Sequence, residues 1–229
     1  MNIYQVLLKM ISEKEKGLAI LIDPDKFSIS EMESFLEQIP KETTFLFIGG
    51  SIVLHEATEA VVSALKEKTS LPIILFPGDF SQLTSKADGV LFLSLISGRN
   101  VEYLIEQQLR AVPRLKYCKL EIIPTGYILL DGGNKSAVAR VTNTQPMPQA
   151  NIESIVNTAL AGQFMGAKLI YLEAGSGALF PVKPEVIAAV KKEIEIPLIV
   201  GGGIKTELQK KAAYEAGADM IVMGTAFEK

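Results

Sequence analysis

The chain has 229 residues, 48% hydrophobic and 21% charged, with a formal net charge of −3 and a pI near 5.4. That composition belongs to a folded protein with one large core, and its slightly acidic balance leaves no electrostatic footprint for nucleic acid. One cysteine (Cys118) and one histidine (His55) exclude a disulfide framework and a Cys/His zinc cluster, so any metal must be held by oxygen ligands.

The opening stretch, MNIYQVLLKMISEKEKG, reads as an amphipathic helix with interspersed charges. It lacks the apolar centre and cleavage site of a signal peptide, and no apolar run reaches the ~18 residues of a membrane span. A cytoplasmic location is therefore expected. Strands are predicted at Leu18–Ile22, Thr44–Ile48, Pro72–Phe76, Val90–Leu93, Leu120–Pro124, Leu169–Leu172, Pro197–Val200 and Met220–Met223. Several are continuous apolar runs (LAILI, TFLFI, PIILF, IPLIV), the pattern of parallel strands buried on both faces. Helical periodicity lies between most of them, at Ser30–Gln38, Ile52–Lys68, Val101–Ala111, Ile152–Met165, Pro184–Glu193 and Thr206–Ala216. Eight strands joined by helices predict an α/β fold, a TIM (β/α)8 barrel spanning 1–229 as a single domain.

Two irregularities modify that barrel. Pro77–Asp88 is short and rich in breakers, so the third helix is expected to be missing or vestigial. The sequence stops just past the eighth strand, so the eighth outer helix is expected to be absent from it or to lie beyond it. Gly132–Ala150, after the fifth strand, is the longest polar connection and a candidate lid.

Chemistry in such barrels gathers at the C-terminal ends of the strands, and phosphate binds on the loops after strands seven and eight. Three glycine-bearing segments fall at such ends: Tyr171–Gly177 (YLEAGSG), Gly201–Ile204 (GGGI) and Met223–Phe227 (MGTAF). Their backbone N–H groups can approach an anion without an intervening Cβ, and Ser176 and Thr225 add hydroxyl donors. At the first strand's end, Asp23 and Asp25 share one side of an extended segment, which Pro24 stiffens. Asp23 is the candidate ligand for Mg2+, while Asp25 serves equally well as a turn cap. Ser51, after Gly49 and Gly50, completes a metal or phosphate shell or caps the following helix. His55 reads as a helix-face residue rather than a base.

Taken together, IDPDK, GGS, IPTGYILLDGG, YLEAGSG, VGGGI and MGTAFE resemble the geranylgeranylglyceryl phosphate synthase family, which includes the heptaprenylglyceryl phosphate synthases. The resemblance spans nearly the whole chain, and that family's modified barrel also lacks its third helix. It implies a phosphoglycerol geranylgeranyltransferase: ether-bond formation between sn-glycerol 1-phosphate and a polyprenyl diphosphate, with Mg2+ and release of diphosphate. By position, Asp23 and Ser51 match the metal-site residues. Tyr171, Leu172, Glu173, Ala174, Gly175, Ser176, Gly177, Gly202, Gly203, Gly224 and Thr225 match the glycerol phosphate clamp, and Tyr127 the tyrosine beside the prenyl chain. Glu173 is the candidate base for the attacking hydroxyl, or a ligand of the glycerol hydroxyls. Phe76, Phe80, Tyr103 and Ile128 are further candidates for the prenyl groove, and Arg99 and Asn100 for the diphosphate. A homo-oligomer, dimer or hexamer, and peripheral contact with a membrane are also expected. The competing readings are a phosphosugar isomerase or synthase on the same barrel and a non-catalytic phosphate-binding barrel.

Overall fold

A computed structural model of the chain describes residues 2–51, 53 and 57–224. Eight parallel strands run in sequence order around a closed barrel: β1 (Gly17–Ile22), β2 (Phe45–Ile48), β3 (Ile73–Leu75), β4 (Gly89–Leu95), β5 (Glu121–Leu129), β6 (Leu169–Glu173), β7 (Leu198–Gly201) and β8 (Met220–Met223). The ring closes where Gly17 to Ile20 of β1 pair with Met220 to Met223 of β8. Each strand feeds two cores, as its continuous apolar run requires. Phe45, Phe47, Leu91, Tyr127, Tyr171 and Val222 fill the barrel interior. Leu46, Ile48, Val90, Ile128, Leu172 and Val200 face the surrounding helices.

Those helices are α2 (Met32–Gln38), α3 (Ala57–Lys68), α4 (Gln107–Leu115), α5 (Ala137–Val141), α6 (Ile152–Phe164), α7 (Pro184–Glu193) and α8 (Glu207–Glu215), with α1 (Ile3–Ser12) preceding β1. The capping chemistry follows the sequence. Asn2 Oδ1 accepts from Gln5 N at 3.0 Å, and Thr206 with Gln209 forms a capping box at α8. The amphipathic face of α1 closes the floor of the barrel, with Ile3, Leu7 and Met10 joining the interior core. The first N–H groups of α1, at Ile3 and Tyr4, donate to the Glu121 carboxylate at the start of β5, which anchors the plug. No helix among the described residues is long and apolar enough to cross a membrane.

Between β3 and β4 there is only a single 3-10 turn (Phe80–Gln82), so the third barrel helix is vestigial, as its breaker-rich sequence predicts. Beside that gap, α4 is preceded by a π-helical turn (Glu102–Glu106). Arg110 and Arg114 of this helix lie 5.9 and 5.7 Å from the Phe80 ring centroid, pinning the short turn from outside.

Two elements depart from the predicted ones. β5 runs on through Pro124 to Leu129, where a proline argues for a strand end. Pro124 is tolerated because its carbonyl side faces the very start of β6, where Lys168 N donates to it at 2.8 Å and the ladder begins only at Thr125 opposite Leu169. The Gly132–Ala150 connection also contains the short helix α5, capped by Ser136 Oγ accepting from Ala139 N at 3.1 Å. Residues 52 and 54–56, including His55 and the predicted start of α3, lie outside the described residues, as does Thr225.

Candidate active site

A cavity of about 470 Å3 opens at the C-terminal mouth of the barrel and extends sideways into the space left by the missing helix. Its two ends differ chemically. One is walled by Glu173, Ser176, Gly202, Gly203 and Gly224, and the other is an apolar groove between the Phe80 turn and α4, lined by Phe80, Leu83, Phe92, Tyr103 and Ala111. Asp23, Gly50 and Ser51 stand on the wall between them in chain order, at the ends of β1 and β2.

At the polar end, β6 delivers Glu173 into the cavity, the residue being only 6% exposed. Gly175 N donates to its Oε1 at 2.6 Å. Burial dominates nonetheless and lifts the carboxyl from 4.5 to about 7, against the stabilising Gly175 N–H and the nearby Tyr171 hydroxyl. The Tyr171 hydroxyl is itself fully buried beside that carboxylate. Burial, and then the adjoining Glu173 charge, push it far above the usual tyrosine range. Tyr127 is raised for the same two reasons. The rings of Tyr171, Tyr127 and Phe76 form a cluster across the cavity floor, with centroids 5.1 to 6.0 Å apart.

The close fit around Glu173 depends on glycine. Gly202 has φ +81°, and a Cβ there would lie 2.3 Å from Glu173 Oε1 and under 3 Å from the amide nitrogens of Ala174 and Gly175. Only glycine supplies both the backbone angle and the space. The loop after β6 is further tied to the Gly132–Ala150 connection, since Asn134 Nδ2 donates to the Gly177 carbonyl at 2.9 Å.

On the other wall, Asp23 Oδ1 accepts from Asp25 N at 3.2 Å, and its Oδ2 pairs with Lys26 Nζ at 3.2 Å. The turn is thus closed by the Asp23 side chain. A Cβ on Gly50 would come 3.0 Å from Asp23 Oδ1, so the β2 loop approaches the carboxylate with bare backbone. Gln82, only 3% exposed, fixes that loop. Its Nε2 donates to the Gly50 carbonyl at 2.8 Å, while its Oε1 accepts from Gly78 N at 3.1 Å and Gly50 N at 3.4 Å. One carboxylate and one hydroxyl suit Mg2+, which takes few protein ligands and completes its shell with water and substrate phosphate oxygens. No group of three or more His, Cys, Asp or Glu side chains able to hold a metal occurs among the described residues.

Asp23, Ser51, Tyr127, Tyr171, Glu173, Ser176, Gly202, Gly203 and Gly224, all singled out from sequence, line this one cavity. The side chains of Leu172 and Ala174 point outward into the helical layer, leaving only their backbone near the site. Ile128 also faces the helices, whereas Phe76, Phe80 and Tyr103 line the cavity. Arg99 is turned away: its guanidinium donates to the Gly98 carbonyl at 2.6 Å, and Asn100 donates to the Thr142 carbonyl while capping Glu102. Gln82, Gln108, Lys205 and Arg140 line or brace the cavity without having been anticipated. Lys205 carries a sequence signal, since it directly follows GGGI; Gln82 sits in a segment legible only as helix-free.

A closed parallel barrel with a buried carboxylate and glycine loops at its C-terminal mouth defines the (β/α)8-barrel enzymes, here with a lateral apolar groove. Within that class, the chain belongs to the PcrB family, whose sequence model matches residues 9–229. It is 58% identical over 227 residues to the geranylgeranylglyceryl phosphate synthase of Zunongwangia profunda, covering 99% of this chain and 97% of that protein. The enzyme of the same name from Thermococcus kodakarensis is 42% identical over 221 residues, covering 95% and 86% respectively. The crystal structure of (S)-3-O-geranylgeranylglyceryl phosphate synthase from Thermoplasma acidophilum, in complex with its substrate sn-glycerol-1-phosphate, superposes with a TM-score of 0.93. That match has 37% identity and covers 100% of this chain and 92% of that one.

Proposed function

We propose that this protein transfers a prenyl group, geranylgeranyl in the first instance, from its diphosphate to sn-glycerol 1-phosphate. The observation that carries the reading is the two-ended cavity, in which a polar pocket holding a buried carboxylate is continuous with an apolar groove vacated by the third helix. A hydrophilic acceptor and a long hydrocarbon donor need those two environments side by side.

In this reading the acceptor's phosphate sits on the backbone of the loops after β6, β7 and β8, with Ser176 donating a hydroxyl bond. Glu173, ionised above about pH 7, hydrogen-bonds the terminal glycerol hydroxyl and receives its proton. That oxygen forms a bond to C1 of the prenyl chain as the C1–O bond to diphosphate breaks, so diphosphate leaves with the bonding electron pair. Asp23 and Ser51 would hold Mg2+, and the ion would supply positive charge to the departing diphosphate. The clustered rings of Phe76, Tyr127 and Tyr171 line the same cavity and would favour positive charge developing on a carbon bound beside them. A cytoplasmic location, peripheral contact with the membrane that receives the product, and assembly as a homo-oligomer go with this reading.

The test is incubation of the protein with radiolabelled sn-glycerol 1-phosphate, Mg2+ and a series of prenyl diphosphates. Label is expected in the organic phase, strongest with the geranylgeranyl donor. Label that stays in water at every donor length overturns the assignment.

A further inference from the structure

Tyr171 and Glu173 are two residues apart on β6, so both side chains point into the barrel and line its cavity. Tyr171 is fully buried, and its ring lies nearly flat against Phe76, with centroids 5.1 Å apart and an interplanar angle of 14°. From β5, the Tyr127 ring closes on it with a centroid distance of 5.4 Å. Held on both sides, the ring aims its hydroxyl at Glu173. The neighbouring strand makes room for that meeting. Gly201 of β7 stands opposite Glu173 in the ladder, and a Cβ built there would collide with the Tyr171 hydroxyl and come 3.1 Å from Glu173 Oε2. Bare backbone on β7 therefore forms the pocket that the hydroxyl and Oε2 share. The other carboxylate oxygen is already committed, since Oε1 accepts from Gly175 N at 2.6 Å.

We propose that Tyr171 is a positioning residue of the transfer reaction, its hydroxyl holding Glu173 Oε2 where that oxygen takes the proton of the glycerol hydroxyl. The inference rests on the prenyl-transfer reading for the source of the proton. A backbone N–H only donates, so Gly175 serves Oε1 in either state but could not face an added proton. A hydroxyl both donates and accepts. Tyr171 donates to the carboxylate before the transfer and accepts from the acid after it, so Oε2 is the oxygen that changes state. The proton leaves the glycerol oxygen for Oε2 as that oxygen bonds to the prenyl carbon and diphosphate departs. Packing alone does not explain the hydroxyl. A phenylalanine would stack on Phe76 equally well, and a fully buried hydroxyl costs desolvation that the Glu173 contact offsets.

An NMR titration of the full chain, isotopically labelled at the glutamate carboxyl carbons, tests the contact without turnover. Loss of one signal in Glu173→Gln assigns the resonance. The wild type is expected to titrate at about 7, and Tyr171→Phe about one pH unit or more higher, because the anion has lost a donor. At neutral pH, kcat should fall about tenfold in Tyr171→Phe and recover as pH rises, with KM for glycerol 1-phosphate within about threefold of wild type. A fluorotyrosine at position 171 keeps the shape and donates more strongly, so it should move the midpoint down instead, a shift that misfolding does not produce. A Glu173 midpoint indifferent to both changes overturns the proposal, as does a Tyr171→Phe enzyme with wild-type kcat at neutral pH. Midpoints that shift as expected in a protein that makes no ether product sustain the contact and overturn the prenyl-transfer reading alone.

Discussion

Burial that lifts the Glu173 carboxyl to about 7 makes it a usable base near neutrality and also an unfavourable anion to enclose. Because its folded-state pKa exceeds the unfolded value, the folded protein binds more protons between about pH 4.5 and 7, and stability falls as pH rises through that window. The displacement corresponds to about 3 kcal/mol, an order-of-magnitude figure. Urea unfolding should therefore find Glu173→Gln more stable than wild type near pH 8 by up to that amount, and the two converging near pH 4.5. Turnover should rise with pH through about 7 in the wild type and drop about 100-fold or more in Glu173→Gln. Unchanged turnover in that variant removes Glu173 as the base. Gln82 makes a separate prediction. Gln82→Leu leaves the Gly50 carbonyl and the Gly78 N–H without their partner. This should cost about 1–3 kcal/mol in urea unfolding. It should also raise KM for the prenyl diphosphate while leaving KM for glycerol phosphate near wild type, since Gln82 braces the Asp23–Ser51 wall and touches nothing of the β6–β7 loops.

At the level of elements, eight strands and the loss of the third helix are legible in the sequence because both leave strong local marks. Runs such as LAILI are apolar on both faces, and Pro77–Asp88 crowds Pro, Gly and Asp into a span too broken for a helix. The extension of β5 past Pro124 and the short α5 are not legible. The first depends on where β6 begins, a tertiary fact, and the second on a five-residue helix held by Ser136 and by packing over the cavity. The site divides along the same line. Asp23, Ser51, Glu173 and the glycines sit at strand ends, where the barrel's geometry makes position informative. Gln82 and Gln108 act from the vestigial turn and from α4, whose approach to the cavity no local pattern encodes. The groove itself yields a prediction: Ala111 is 5% exposed on its α4 wall, and Ala111→Phe should narrow it. Relative kcat/KM should move toward shorter prenyl donors, as a substrate series would report. By contrast, Leu7→Ala in α1 opens a hole in the barrel floor. It should cost about 2–5 kcal/mol in chemical denaturation with both KM values unchanged, because the floor lies at the strand N-termini, away from the cavity.

For the molecule as a whole, closing the ring pairs β1 with β8, so one mouth carries Asp23 and Ser51 at the ends of β1 and β2 beside the glycine loops after β7 and β8, with Glu173 at the end of β6. Omitting a single helix then opens the wall of that mouth into an apolar groove. A phosphate clamp of this sort serves many reactions on this fold; the groove joined to it is what selects a hydrocarbon donor. The most direct test is mass spectrometry of the products formed from sn-glycerol 1-phosphate and geranylgeranyl diphosphate with Mg2+, with released diphosphate quantified alongside. The account predicts an ether-linked geranylgeranylglyceryl phosphate in one-to-one ratio with diphosphate. Diphosphate released with free prenyl alcohol and no ether product, or no reaction at all, would contradict it.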